Sequence, residues 1–168
     1  MASVIGLHTC PELILSNYEA ADRFQVIREL GRRALQHGYV EKPFMPTILE
    51  REESYPTGLE ISLPIALPHV GEYCNRSFLS MAVLKKPVGF YSMDGSGKEL
   101  KVEIVFLFGI TNPQDQVKVL KKFMQVFRDR DSLQILKDAA GPRQVLEILK
   151  QLLGNFLIIE NLSGKEGE

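Results

Sequence analysis

Val105-Phe106-Leu107-Phe108 is apolar at every position. Successive side chains of a strand point to opposite faces, so such a run belongs inside a sheet covered on both sides. The residues before it alternate, with Val102, Ile104 and Phe106 against Lys101 and Glu103, and the whole predicts a strand over 100–110. Residues 78–85 predict another strand apolar on both faces, and 88–93 a second. Asp94-Gly95-Ser96-Gly97-Lys98 supplies the turn into 100–110. It lacks the spacing of a phosphate-binding loop and leads into no helix, so it reads as a hairpin. Residues 61–68 are short, apolar and interrupted by Pro64, which restricts them to an edge strand or an extended loop.

Helical periodicity surrounds these strands. Asn17 is the expected cap of a helix to about Gln36, with Phe24, Ile27, Leu30, Ala34 and Leu35 inward and Gly38 as its stop. A second helix is expected over 45–54, with Pro46 in its first turn and Pro56-Thr57-Gly58 after it. Three more follow. One runs from Pro113 to Arg128 on Val117, Leu120, Met124 and Phe127; one is capped by Asp131 and carries Leu133 and Leu136; the last opens at Gly141-Pro142 and stops near Gly154. This order predicts an α/β fold, a mixed, mostly parallel β-sheet flanked by helices on both faces. One domain over 1–168 is expected, with its core at about 11–153 and with 1–10 and 163–168 loose.

Lys and Arg number 20 against 21 Asp and Glu, a net charge of −1, which gives no electrostatic case for broad nucleic-acid or anionic-membrane binding. The start lacks the basic, apolar plan of a signal peptide, and the longest apolar run, 104–110, falls far short of the roughly 20 residues of a membrane-spanning helix. A cytoplasmic location is the expectation. The two cysteines, Cys10 and Cys74, cannot make a disulfide framework or a four-thiolate zinc site, and each reads as a small buried or half-buried thiol ahead of a nucleophile. Glu50-Arg51-Glu52-Glu53 reads as the solvated face of the second helix rather than a carboxylate site. Of three histidines, His8 lies near the expected loose start and His37 in a last helical turn, where a cation is favourable without further role. No histidine pair has metal-ligand spacing, so no metal site is expected. His69 ends the run Ile65-Ala66-Leu67-Pro68 at a strand-to-loop exit, a place for a functional group or for a histidine simply hydrogen-bonded at a corner.

Leu49-Glu50-Arg51-Glu52, Thr57-Gly58-Leu59 and then Ala66-Leu67-Pro68-His69 resemble the EIIA domain of the bacterial sugar phosphotransferase system, in the fructose/mannitol/galactitol superfamily. The resemblance covers about 11–153, including Gly38-Tyr39-Val40, the 102–108 strand and the last helix from Arg143. Ser62 and Val70 stand where the family usually has smaller residues. Gln116 stands at or near a second histidine of mannitol- and fructose-like members, so the pattern leans towards a galactitol-type branch.

The resemblance implies that His69 takes a phosphoryl group from HPr and passes it to a cysteine of an EIIB partner for sugar uptake. Neutral imidazole suits this, since its reference pKa of about 6.5 leaves a lone pair at neutral pH. Arg51 is implied to stabilise the phosphoryl group, or else pairs with Glu52 or Glu53. Gln116 either donates an amide to the phosphoryl group or is a plain helix-surface residue. No cofactor is implied, because the donor is itself a phosphoprotein. Pro64, Ile65, Leu67, Val70 and Tyr73 are expected to form the docking patch. A regulatory module signalling through its phosphorylation state and a degenerate, non-phosphorylated binding domain stay open, as do the sugar and the oligomeric state.

Overall fold

The computed structural model describes residues 5–160, so the expected loose tail at 163–168 lies outside the described residues. The chain begins with β1 (Leu7–Thr9), a turn of 3-10 helix at Pro11–Leu13, and β2 (Ile14–Tyr18). Residues 7–9 are therefore not loose: β1 sits between two parallel neighbours, with His8 beside Phe78 on one side and Ile158 on the other. Asn17 caps no helix. It lies in β2 with φ 52°, because Ile14 and Leu15 pair with the sheet and extend the chain. Helix α1 (Arg23–Gln36) starts later, where the Asp22 carboxylate accepts the Gln25 N–H at 2.9 Å. It buries Val26, Ile27, Leu30 and Ala34, while Leu35 faces outward.

Helix α2 (Phe44–Ser54) follows, then β3 (Gly58–Leu59) and β4 (Ile65–Ala66), an antiparallel pair at one sheet edge. The two strands expected over 78–93 are one, β5 (Phe78–Tyr91), whose register slips between Val83 and Val88. A bulge there absorbs Pro87, which has no N–H for the ladder. The hairpin turn then leads to β6 (Glu99–Gly109), with Gly95 and Gly97 at φ 79° and 77°, where a side chain would be strained. The rest is α3 (Pro113–Phe127), α4 (Arg130–Asp138), α5 (Pro142–Leu153) and β7 (Leu157–Ile159). Asp129, not Asp131, caps α4, accepting the Asp131 N–H at 3.1 Å. No helix among the described residues is long and apolar enough to cross a membrane.

The sheet order is β3-β4-β6-β5-β1-β7, with β2 also paired to β5. Only β3–β4 and the long β5–β6 hairpin are antiparallel; the other pairings are parallel. Helices α1 and α2 cover one face, over Ala82, Phe90, Val105 and Leu107. Helices α3, α4 and α5 cover the other, over Leu79, Met81, Ile104, Phe106 and Phe108. Strand β6 is buried on both sides, as its unbroken apolar end requires. Helix α3 presents a different stripe from the expected one. Val119, Phe123 and Phe127 are buried, while Val117 and Met124 are 69% and 38% exposed. Phe127 is inward as expected and Leu120 packs partly against the core, but Val119 and Phe123 replace Val117 and Met124, because the Phe123 ring buries more apolar area than a methionine.

Candidate active site

Strand β4 runs parallel to β6, and the chain beyond it stays in register with that strand. The Phe108 N–H donates to the Pro68 carbonyl at 3.0 Å, and His69 then sits directly beside Phe108. Cross-strand neighbours share a face, so their rings meet: they stack with centroids 4.9 Å apart and planes 5° from parallel. Gly71 lets the following loop pass Ile110, where a Cβ would come within 2.5 Å of the Ile110 carbonyl oxygen.

The imidazole is oriented by both nitrogens. Nδ1 lies 2.7 Å from the Leu67 carbonyl oxygen, which can only accept, so Nδ1 carries the proton. The lone pair of the neutral ring is then on Nε2. There the Gln116 side-chain amide stands 3.2 Å away, with its NH2 as the donor. Burial is the largest influence on His69 and pulls its pKa below the ordinary histidine value. The Leu67 bond opposes this, and the positive charge of Arg51 adds to the lowering.

These groups open on a cleft of about 320 Å³, walled by Arg51, His69, Glu72, Thr111 and Gln116 among others. Sequence reasoning put forward His69, Arg51 and Gln116, and the fold brings all three to this one cleft. Gln116 enters it from the first turn of α3. Asn112 caps that turn by accepting the Gln114 N–H at 3.1 Å, and Pro113 opens it. A capped helix N-terminus favours negative charge in front of it.

Arg51 arrives from the last turn of α2 and is exposed. Among the described residues no carboxylate forms an ion pair with it, and its guanidinium lies 5.6 Å from the Tyr55 ring. The alternative pairing with Glu52 or Glu53 does not form among the described residues, and Glu52 is not on a solvated face. It is 2% exposed, accepting the Thr57 N–H at 2.9 Å and the Thr57 hydroxyl at 2.6 Å. Burial pushes its carboxyl up, against the lowering effect of those two bonds. Glu52 thereby ties the end of α2, and so Arg51, to the strand that follows.

Other expectations need revision. Ile65, Leu67 and Val70 are buried, because β4 and its extension are covered on both faces, so they supply no docking area. The exposed apolar residues next to cleft residues are Tyr55, which lies against Arg51, and Tyr73 and Val117, which follow Glu72 and Gln116 in the chain. Glu72, Thr111, Gly71 and the Leu67 carbonyl were not legible as site members, since each acts by its place beside β6 rather than by a local pattern. His8 lies in β1, 3.4 Å from the Glu160 carboxylate, and His37 caps the end of α1. Cys10 is buried and Cys74 half-buried. Burial pushes the Cys10 thiol up and the Cys74 thiol up to about 12, so neither is a ready thiolate. Among the described residues no cluster of three His, Cys, Asp or Glu side chains could hold a metal ion. A larger cleft of about 500 Å³ at the start of α5 holds neither histidine nor cysteine.

A family model described as "Phosphoenolpyruvate-dependent sugar phosphotransferase system, EIIA 2" matches residues 8–152. The chain is 28% identical over 120 residues to Transcriptional regulator ManR of Bacillus subtilis (strain 168), covering 71% of this chain and 17% of that much longer protein. It is 27% identical over 127 residues to the PTS system galactitol-specific EIIA component of Escherichia coli (strain K12), covering 73% of this chain and 83% of that one. In fold it matches a chain of the complex of enzyme IIAMTL and phosphorylated enzyme IIBMTL from Escherichia coli, at TM-score 0.66 and 21% identity, over 83% of this chain and 95% of that one.

Proposed function

The chain belongs to the EIIA 2 family of the phosphoenolpyruvate-dependent sugar phosphotransferase system, and from that premise we propose that His69 is its phosphoryl carrier. The donor is phosphorylated HPr, and the acceptor is a cysteine of an EIIB partner in the cytoplasm. The similarity to a galactitol-specific EIIA component favours a polyol or related sugar as the transported substrate.

One observation carries this reading. Nδ1 of His69 is tied to the Leu67 carbonyl while Nε2 faces a cleft that holds an exposed guanidinium and an amide. The Nε2 lone pair attacks phosphorus in line as the bond from phosphorus to the donor breaks. No proton has to leave first, because the ring proton is already on Nδ1. The transferred group gathers negative charge on its equatorial oxygens. Arg51 meets that charge with a planar fork of donors. Gln116, displaced from the lone pair, turns its NH2 to a phosphoryl oxygen, and the N-terminus of α3 adds its partial charge. Transfer onward is the same step in reverse, with a thiolate as the incoming nucleophile. In the mannitol complex an enzyme IIA meets a phosphorylated enzyme IIB. By analogy, Tyr55, Tyr73 and Val117 frame the docking surface here, a small area suited to brief encounters.

Incubation with enzyme I, HPr and phosphoenolpyruvate tests the reading. The expected product is an acid-labile mass gain of one phosphoryl group, absent in His69→Ala; a wild-type protein that stays unmodified, or a His69→Ala variant that gains the group, refutes it. A regulatory role is the second reading, favoured by the similarity to part of a transcriptional regulator. Transfer from the phosphorylated protein to candidate EIIB proteins separates the two, since a dedicated regulator passes the group to none of them.

A further inference from the structure

The His69 ring is the outermost member of a column of aromatic rings that runs into the core. It stacks on Phe108, which meets Phe123 edge-on at 5.1 Å. Phe123 in turn touches Phe106 and Phe127, and Phe106 and Phe127 stack at 4.5 Å. Phe108 is fully buried. Phe123 belongs to α3, the helix that carries Gln116, and the two are seven residues apart. Seven residues are two helical turns, so both side chains leave α3 on the same side. The ring of Phe108 therefore touches both deliveries to the cleft: the imidazole directly, and the amide through the seating of Phe123.

We propose that Phe108 is a positioning residue for phosphoryl transfer, holding the plane of His69 and, through Phe123, the reach of Gln116 to Nε2. The inference rests on the phosphocarrier reading for its kinetic consequence, though not for its geometry. Once an incoming phosphoryl group displaces Gln116 from Nε2, the imidazole is held by the Leu67 bond alone and can swing about it. A flat ring packed beneath it removes the swing, and small misplacements of a reacting atom are costly in rate. The same ring excludes water from one face of the imidazole, in line with the depressed pKa of His69. The charged groups facing His69 are Arg51 from α2 and Glu72 from the loop beyond it; β6 contributes none, and α3 contributes the neutral Gln116.

Phe108→Leu keeps an apolar side chain and removes the flat ring. Its rate of phosphorylation at saturating phospho-HPr should fall about tenfold, with the half-saturating donor concentration unchanged. The NMR titration midpoint of the His69 ring should rise towards that of a free histidine. Phe90→Leu is the control: Phe90 is equally buried but lies on the other face of the sheet, away from His69. It should lose thermal stability yet keep both the rate and the midpoint. A folded Phe108→Leu with wild-type rate and midpoint overturns the inference, as does a Phe90→Leu that reproduces its losses. Should Phe108→Leu fail to fold, Phe108→Met preserves volume without a planar ring, and the same outcomes decide. If wild-type protein accepts no phosphoryl group, the phosphocarrier reading fails, while the NMR comparison on unmodified protein still decides the role of Phe108.

Discussion

The two faces of the sheet each send one polar side chain to His69, and they do so in opposite ways. From the α3 face, Gln116 is already in place, 3.2 Å from Nε2, on a helix seated by phenylalanines. From the α2 face, Arg51 stands exposed and unpaired among the described residues, loosely over Tyr55. The neutral contact is preformed and the charged one is held in reserve. A cation fixed against the resting imidazole would only deepen the depression of its pKa; on the phosphocarrier reading, an exposed one would close when the phosphoryl group arrives. It then gives up side-chain freedom in exchange for bonds that exist only with the phosphoryl group present.

Substitutions on the two faces should therefore differ in kind as well as size. Between them, His69→Ala should abolish phosphorylation altogether, read as the absence of acid-labile phosphate. On the exposed side, Arg51→Ala should slow transfer about 100-fold, as loss of a charged donor to a transition-state oxyanion does, and Arg51→Lys should restore little because an ammonium lacks the fork. Equal rates for Arg51→Ala and wild type would end the idea of a reserve cation. Glu52→Ala, at the root of that side, leaves the buried Thr57 N–H without its partner. It should cost about 2 kcal/mol in denaturant unfolding. On the preformed side, Gln116→Ala should slow transfer only about tenfold, since a neutral donor is worth about half a charged one.

Smallest is the effect of pH. The lowered pKa of His69 means that its lone pair stays available as pH falls through about 6.5, where a free histidine would protonate. The transfer rate should be flat across that value and decline only below it; a midpoint at or above it would contradict the burial argument. Stability carries the matching sign. In the same window the unfolded chain binds a proton at His69 that the folded one does not, so stability present above about 6.5 is lost as pH falls towards the depressed folded value. His69→Ala should flatten that slope.

Long elements were legible in the sequence because each supplies its own repeating signal. Strand β6 declares itself by its unbroken apolar end, and α2 and α5 by periodicity with proline at the start. Short strands were not. Three residues, Leu7–Thr9 or Leu157–Ile159, contain no period, and their stability comes from partners distant in the chain. Helix α3 was placed correctly, with Leu120 and Phe127 rightly inward, but Val117 and Met124 face out, because a second apolar stripe through Phe123 competes and only packing against Phe106 and Phe108 decides between them. His69, Arg51 and Gln116 were reached through a resemblance, and local pattern alone left each with an ordinary alternative. What holds His69 could not be read at all: the Phe108 ring is distant in the chain, and the Leu67 carbonyl, only two residues back, is a main-chain atom that no residue type reveals.

The bond from His69 Nδ1 to the Leu67 carbonyl has a chemical consequence of its own. Phosphohistidine exists as two regioisomers that differ in hydrolytic lifetime and in the reagents that recognise them. Here only the Nε2 isomer can form without breaking the hold on the ring. On the phosphocarrier reading, a main-chain oxygen, which no side-chain substitution deletes, thus selects which isomer this protein would make. An antibody raised against the Nδ1 isomer should not recognise the phosphorylated chain, and one against the Nε2 isomer should.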